Sequence, residues 1–214
     1  MHSFRSMETQ IEMSKVEAVL FDLDGVLVDA CDWHFNALNE AMREIAGFEL
    51  SREDHVLKYN GLPTAVKLRM LGFEGSIASR IEAAKQIKTL DIISKHAEIM
   101  TEKQELHSYL KSQGIKIACV TNSILTTATE MLRKTGQLEF MDLIVSNKDV
   151  DRNKPYPDCY NYAVEILAVD PTKCLCVEDS PKGIEAAKAS CIPNLWIVSN
   201  PSEVTLETYK RIIR

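Results

Sequence analysis

The 214-residue chain has no run that approaches the ~18 apolar residues of a membrane span. Met1 to Lys15 lacks the apolar core of a secretory signal and is expected to be a loose tail. Positive charge is in short supply. The formal net charge of −6 argues against non-specific nucleic-acid binding, and an anionic ligand would have to be held by local cations or a metal. The six cysteines (Cys31, Cys119, Cys159, Cys174, Cys176 and Cys191) show no metal-ligand spacing. Buried free thiols in a reducing, cytoplasmic compartment are expected instead. There is no internal repeat and no low-complexity stretch, and nothing in the sequence demands more than a monomer.

What the chain does have starts at Val16. Ala18-Val19-Leu20-Phe21 is a short apolar run of the kind that forms a fully buried strand. It delivers Asp22 and Asp24, two residues apart, and then Gly25. If the extended form persisted, both acids would share one side. They would lie at the carboxyl end of a buried strand, where open α/β sheets place their ligands. Two such close anions repel unless a cation or a shared proton intervenes. A bare Asp-x-Asp-Gly also fits a solvated turn. It does not fit an EF-hand loop, since Gly25 is fourth from Asp22 and Trp33 stands at the twelfth position.

From Ala30 to Met100 no strand pattern occurs, and residues 31–100 read as an all-helical insertion. Trp33, Ala37, Ala41 and Ile45 mark an amphipathic helix ending near Gly47. Ser51 is expected to cap a short second helix. Asn60-Gly61-Leu62-Pro63 is a loop, Pro63 opens a helix through Leu71, and a further helix covers Ile77 to about Ile99. From Thr101 helix and strand alternate. Strands are expected at Ile115–Val120, Asp142–Ser146, Cys174–Val177 and Asn194–Val198. Helices are expected over Glu102–Gln113, from Thr121-Asn122-Ser123 to Gly136, over Pro155–Ala168 and over Pro181–Ser190. This alternation predicts an α/β protein with a doubly wound, Rossmann-like parallel sheet. Residues 16–30 and 101–214 form that core.

In a parallel sheet all strand carboxyl ends face one edge. Asp22 and Asp24 therefore converge with Thr121, Asn122 and Ser123, with Glu178 and Asp179, and with Lys154 before its helix. Asp22 and Asp179 can share a hard cation such as Mg²⁺. Thr121 with helix-start amides makes an anion site, and Lys154 adds a point charge. Asp22 can then attack phosphorus, with Asp24 as general acid and base. Taken singly, each part has a plainer explanation: Thr121-Asn122-Ser123 as a helix cap, Lys154 as a surface residue, and Glu178-Asp179-Ser180-Pro181 as a capped turn. Their joint order supports the chemistry.

At this point the sequence resembles the haloacid dehalogenase superfamily. Asp22-Leu23-Asp24-Gly25-Val26-Leu27-Val28-Asp29 is similar to its first motif and Thr121-Asn122-Ser123 to its second. Lys154-Pro155-Tyr156-Pro157-Asp158 is similar to the third, and Glu178-Asp179-Ser180 with Gly183 to the fourth. The resemblance is to the β-phosphoglucomutase-like and phosphoglycolate-phosphatase-like members, and it implies a helical cap inserted after the first strand. It implies Asp22 as nucleophile, Asp24 as acid/base and carbonyl ligand of Mg²⁺, and Asp179 as metal ligand. Glu178 would be its neighbour or an occasional ligand. Thr121, the Asn122 amide and Lys154 would hold the phosphoryl group. In the cap, His34 is expected to face the site, or else to pack beside Trp33. Asn60-Gly61-Leu62-Pro63-Thr64 resembles the specificity loop, where Thr64 stands in place of a basic residue that a mutase uses. Lys85 and Lys88 could reach substrate, although both also fit a solvated helix face.

A Mg²⁺-dependent phosphatase of a small phosphorylated metabolite is thus expected. A sugar phosphomutase and a catalytically retired binding protein are the alternatives. The cap is expected to hinge near Ala30–Asp32 and Met100–Glu102.

Overall fold

A computed structural model describes residues 16–213; the expected tail at 1–15 lies outside the described residues. The apolar run forms strand β1, Ala18–Phe21, at the centre of a five-stranded sheet. The others are β2, Lys116–Val120; β3, Leu143–Val145; β4, Cys174–Glu178; and β5, Asn194–Ile197. The order is β3-β2-β1-β4-β5 and every pairing is parallel. Strand alternation divides β1 between two cores. Val19 and Phe21 pack on helices α5, Thr101–Ser112, and α6, Leu125–Lys134. Ala18 and Leu20 pack on α7, Asp158–Leu167, and α8, Pro181–Ala189. A strand buried on both faces has to be apolar throughout, which is why its sequence reads as an unbroken apolar run.

Among the described residues no strand occurs between β1 and β2. That stretch holds α1, Cys31–Ala46; α2, Arg52–Asp54, continuing as a π-helical turn over His55–Tyr59; α3, Thr64–Met70; and α4, Gly75–His96. Leu38, Ala41, Met42, Leu50, Tyr59, Leu68 and Ile81 give these helices an apolar cluster of their own. Ser51 caps α2 as expected, its hydroxyl accepting from the Asp54 N–H at 3.1 Å. No described helix is long and apolar enough to cross a membrane.

The structure differs from the sequence reading in several places. Helix α7 starts at Asp158, not Pro155. The Lys154 N–H is taken by the Asn122 side chain and the Tyr156 N–H by the Asn153 carbonyl, so residues 153–157 form turns. Thr121, Asn122 and Ser123 do not cap α6, which begins at Leu125. Cys119, Cys159, Cys174 and Cys176 are buried free thiols as expected, but Cys191 is exposed and Cys31 half-buried. Finally, Leu206–Ile212 forms a last helix, α9, capped by Thr205 and packed against α5.

Candidate active site

The two acids of the first motif part company. Extended structure ends at Phe21, and the chain turns through Gly25 at φ 94°. The Leu23 carbonyl accepts the N–H groups of Leu27 and Val28, and Gly25 donates to the Val28 carbonyl. A side chain at position 25 would be strained at that φ, and its Cβ would lie 2.1 Å from Asp179 Oδ2. Asp22 is left facing the sheet edge and Asp24 the helical segment. Both line one cavity of about 660 Å³.

At the sheet edge Lys154 is the hub. Its buried ammonium donates to Asp22 Oδ1 at 2.7 Å, to the Val120 carbonyl at 2.8 Å and to Glu178 Oε1 at 2.6 Å. Burial opposes its charge, but Asp22 and Glu178 outweigh that and hold its pKa above the ordinary lysine value. Glu178 is not in a turn after β4. It is the last strand residue and has no exposed surface. Tyr160 donates to the same Oε1 at 2.6 Å, and the Asp179 N–H reaches Oε2. A Cβ on Gly183 would sit 2.0 Å from Glu178 Oε1, so the start of α8 can pass the carboxylate only as glycine.

Oxygen atoms of Asp22, Glu178 and Asp179 lie within 4.8 Å of one another. Burial pushes the Asp22 carboxyl well up, with Lys154 opposing and the neighbouring acids adding to it. Burial, then Glu178, raises Asp179 to about 7. Three crowded acids next to one ammonium form a set that a divalent cation would relieve. Asp179 Oδ1 fits that role, being buried with no hydrogen-bond partner. Glu178 is already committed to Lys154 and Tyr160, which leaves Asp22 and Asp179 as the better candidate ligands.

Asp24 is held from the other side. His34 Nε2 lies 2.9 Å from its Oδ1, and the Ser123 hydroxyl donates to its Oδ2 at 3.0 Å. Lys85 donates to His34 Nδ1 at 3.1 Å, which places the imidazole proton on Nε2, facing Asp24. Burial works against the Asp24 charge, but His34 and Ser123 outweigh it and its pKa falls below the ordinary value. Burial keeps His34 itself neutral, with its pKa lowered. His34 therefore faces the site, as the resemblance implied, rather than packing beside Trp33.

Thr121 is buried at the end of β2, and its Oγ1 accepts the Ser123 N–H at 2.9 Å. Asn122 joins core to loop: its side-chain amide donates to the Gly61 carbonyl at 3.0 Å and the Lys154 carbonyl at 3.2 Å. Two further contacts cross the cavity mouth, Lys182 to the Asn60 carbonyl at 2.7 Å and Gln86 to Thr127. Gly61 and Thr64 line the cavity.

Lys85 and Lys88 turn out to differ. Lys85 reaches the site, while Lys88 is drawn away by Glu40 and Glu44. Sequence reading missed Lys67 and Lys182. Both line the cavity, Lys67 only 7% exposed. A lysine one turn after Thr64 was the available signal for the first.

Residues 19–197 match the family described as haloacid dehalogenase-like hydrolase. The chain is 30% identical over 184 residues to the phosphorylated carbohydrates phosphatase of Thermotoga maritima, covering 85% of this chain and 84% of that one. It is 25% identical to the β-phosphoglucomutase of Bacillus subtilis over 82% of this chain and 80% of the relative. Among solved structures, CbbY from Rhodobacter sphaeroides in complex with phosphate superposes with a TM-score of 0.77, at 26% identity and 85% coverage of both chains. With the motif residues gathered at one sheet edge and a family match spanning most of its length, this chain belongs to the haloacid dehalogenase-like hydrolases.

Proposed function

We propose that the chain is a Mg²⁺-dependent phosphatase that hydrolyses a small phosphomonoester, a sugar phosphate or similar metabolite, through an aspartyl-phosphate on Asp22. Residues 31–100 act as a cap over the catalytic core at 16–30 and 101–214. The observation that carries this reading is the division of labour between the two acids. Asp22 sits beside the Lys154 ammonium, while Asp24 is held apart by His34 and Ser123.

In the first step an Asp22 oxygen attacks phosphorus and the ester oxygen leaves with a proton from Asp24. In the second, water attacks the acyl-phosphate and Asp24 withdraws its proton. The donors on Asp24 favour the ionised form that this second step uses. Lys154, the Thr121 hydroxyl and the Asn122 backbone amide orient the phosphoryl oxygens. Asp22, Asp179 and the Asp24 carbonyl would hold Mg²⁺, which when bound offsets the charge of the acids and the phosphoryl group. The contacts across the mouth from Asn122, Lys182 and Gln86 favour the closed form that excludes water.

Purified chain should release phosphate from p-nitrophenyl phosphate when Mg²⁺ is present. Chelation should stop it, and Asp22→Asn should abolish it. Undiminished turnover in that variant would remove Asp22 from its role. One observation favours the mutase alternative: Lys67 brings a cation close to the loop where Thr64 left none. Phosphate transfer only with a bisphosphate activator, and no net release, would establish that reading. No release across a wide metabolite panel would point to a retired scaffold.

A further inference from the structure

We propose that Gln137, which belongs to none of the sequence motifs, is a positioning residue: its buried amide pins the two crossings between core and cap and so sets Asp24 for proton transfer. This role rests on the phosphatase reading and deepens it. The chain passes between core and cap twice, at residues 30–31 into α1 and at residues 97–100 out of α4. Gln137 stands on the core side, in the turn after α6, with no exposed surface. Its Nε2 donates to the Leu27 carbonyl at 3.2 Å and to Thr135 Oγ1 at 2.9 Å, and it lies 3.8 Å from Met100 Sδ. One amide thus touches the chain just before the first crossing and again at the second.

The second crossing is fastened to the same turn. The Met100 N–H donates to the Thr135 carbonyl at 3.0 Å, and the Gln104 side chain to the Gly136 carbonyl at 2.9 Å. A Cβ on Gly136 would lie 2.5 Å from Gln104 Nε2 and 3.1 Å from Ile99 Cδ1, so the turn packs closely on this crossing. The first crossing is reached through the loop that carries Asp24. That loop closes on the Leu23 and Val28 carbonyls, and among the described residues no other donor reaches the Leu27 carbonyl. Beyond it, the Ala30 N–H donates to the Val28 carbonyl and the His34 N–H to the Ala30 carbonyl. Gln137 therefore holds the middle of a segment with Asp24 near one end and His34 at the other, and these two meet at 2.9 Å.

Packing alone does not account for a glutamine here. Its Oε1 is buried without a hydrogen-bond partner, a cost that an apolar side chain of similar size would avoid. The Leu27 carbonyl decides which way the amide faces, since a flipped amide would set two oxygens against each other. The donor side is what the site gains. Without it the Leu27 carbonyl becomes a buried acceptor with no partner, and the loop is free to shift. A displacement of about 1 Å, even far from the chemistry, can cost roughly 100-fold in rate. The step most exposed to it is the first, in which the bond from phosphorus to the ester oxygen breaks as Asp24 gives that oxygen its proton. An ester whose leaving oxygen is stable as an anion needs this proton less.

The test compares the intact chain with Gln137→Met, which keeps the side chain's length and removes its amide. Two substrates are used with Mg²⁺: p-nitrophenyl phosphate, which releases a stable phenolate, and propyl phosphate, whose alkoxide needs a proton. The ratio kcat/KM reports the phosphorylation step. It should fall about 10- to 100-fold for propyl phosphate and less than about threefold for p-nitrophenyl phosphate. Equal losses, or no loss, would overturn the positioning role, because a merely structural defect does not tell leaving groups apart. Hydrogen exchange followed by mass spectrometry gives a second readout that does not need turnover. Amides of residues 27–34 and 97–104 should exchange roughly tenfold faster in the variant, while those of β1 and β4 keep their rates. Unchanged exchange at both crossings would overturn the pin. If Gln137→Met does not fold, Gln137→Asn, which retains an amide but draws it back by one carbon, takes its place in both readouts. If the intact chain hydrolyses neither ester but exchange at both crossings still rises in the variant, the phosphatase reading fails and the pin between the crossings stands.

Discussion

The two cationic regions of the cavity are built on opposite principles. At the sheet edge, Lys154 meets two carboxylates and a carbonyl, so it is fully matched within the protein. Elsewhere on the cavity wall, Lys67 of α3 has a neutral imidazole and Lys182 of α8 a carbonyl. The sheet edge is organised before any ligand arrives, because Lys154 fixes Asp22 and Glu178 without help. Neither of these two lysines has a carboxylate as a hydrogen-bond partner. Catalytic groups benefit from such preorganisation, whereas recognition can draw on energy released when a charge finds its partner.

The sharpest way to break this contrast is to remove the same charge from both places. Lys154→Met leaves Asp22 and Glu178 facing each other in a buried site, and stability should fall by about 3–5 kcal/mol in denaturant unfolding. Lys67→Met removes an ammonium that has no acid partner, and unfolding should show no loss, or a small gain. Equal destabilisation by both would show that Lys67 is matched after all. A smaller effect is expected on the acid/base side. His34→Ala takes a donor from Asp24 and strands Lys85, so kcat should fall about 10- to 100-fold, less than the loss of the acid–base group itself would cost. It should also raise the pKa read from the acidic limb of the pH–rate profile, since Asp24 loses the group that holds it ionised. An unmoved limb would detach His34 from Asp24.

The smallest effect sharpens the comparison from inside the sheet core. His107 lies between Phe21 and Phe140 with no exposed surface, and neither ring nitrogen has a hydrogen-bond partner. Burial, then Lys103, pulls its pKa down to about 4. The unfolded chain takes up this proton near pH 6.5, and the folded chain resists it until about pH 4. Stability contributed by the neutral form is therefore complete above pH 6.5 and declines as pH falls through that window. From pH 7 to 5.5 the loss should be about 1 kcal/mol. His107→Leu should flatten that part of the curve; an unchanged slope would assign the pH dependence to other groups.

Much of the sheet edge could be read from sequence because buried parallel strands announce themselves as apolar runs, and their ends carry the chemistry. Asp22, Asp24, Thr121, Asn122, Glu178 and Asp179 follow from that rule; all but the buried Glu178 line one cavity, together with Lys154, which was read from its place before a helix. The helical side was harder. Lys85 and Lys88 stand three residues apart on α4 and look alike in sequence, yet Glu40 and Glu44 on α1 capture one and leave the other to His34. Lys67 was overlooked because its direction depends on how α3 packs its Leu68 into the helical cluster, which periodicity cannot supply. The start of α7 was misplaced for a related reason: the Asn122 side chain, from a distant strand end, takes the Lys154 N–H and holds residues 153–157 in turns.

The account turns on a phosphoryl group passing through the Asp22 carboxylate. The direct measurement is to quench turnover with borohydride and map the peptides by mass spectrometry, because reduction of an aspartyl-phosphate yields homoserine. Homoserine at residue 22, dependent on Mg²⁺ and substrate, is the predicted result. Its appearance at another acid, or phosphate release with residue 22 unreduced throughout, would contradict it.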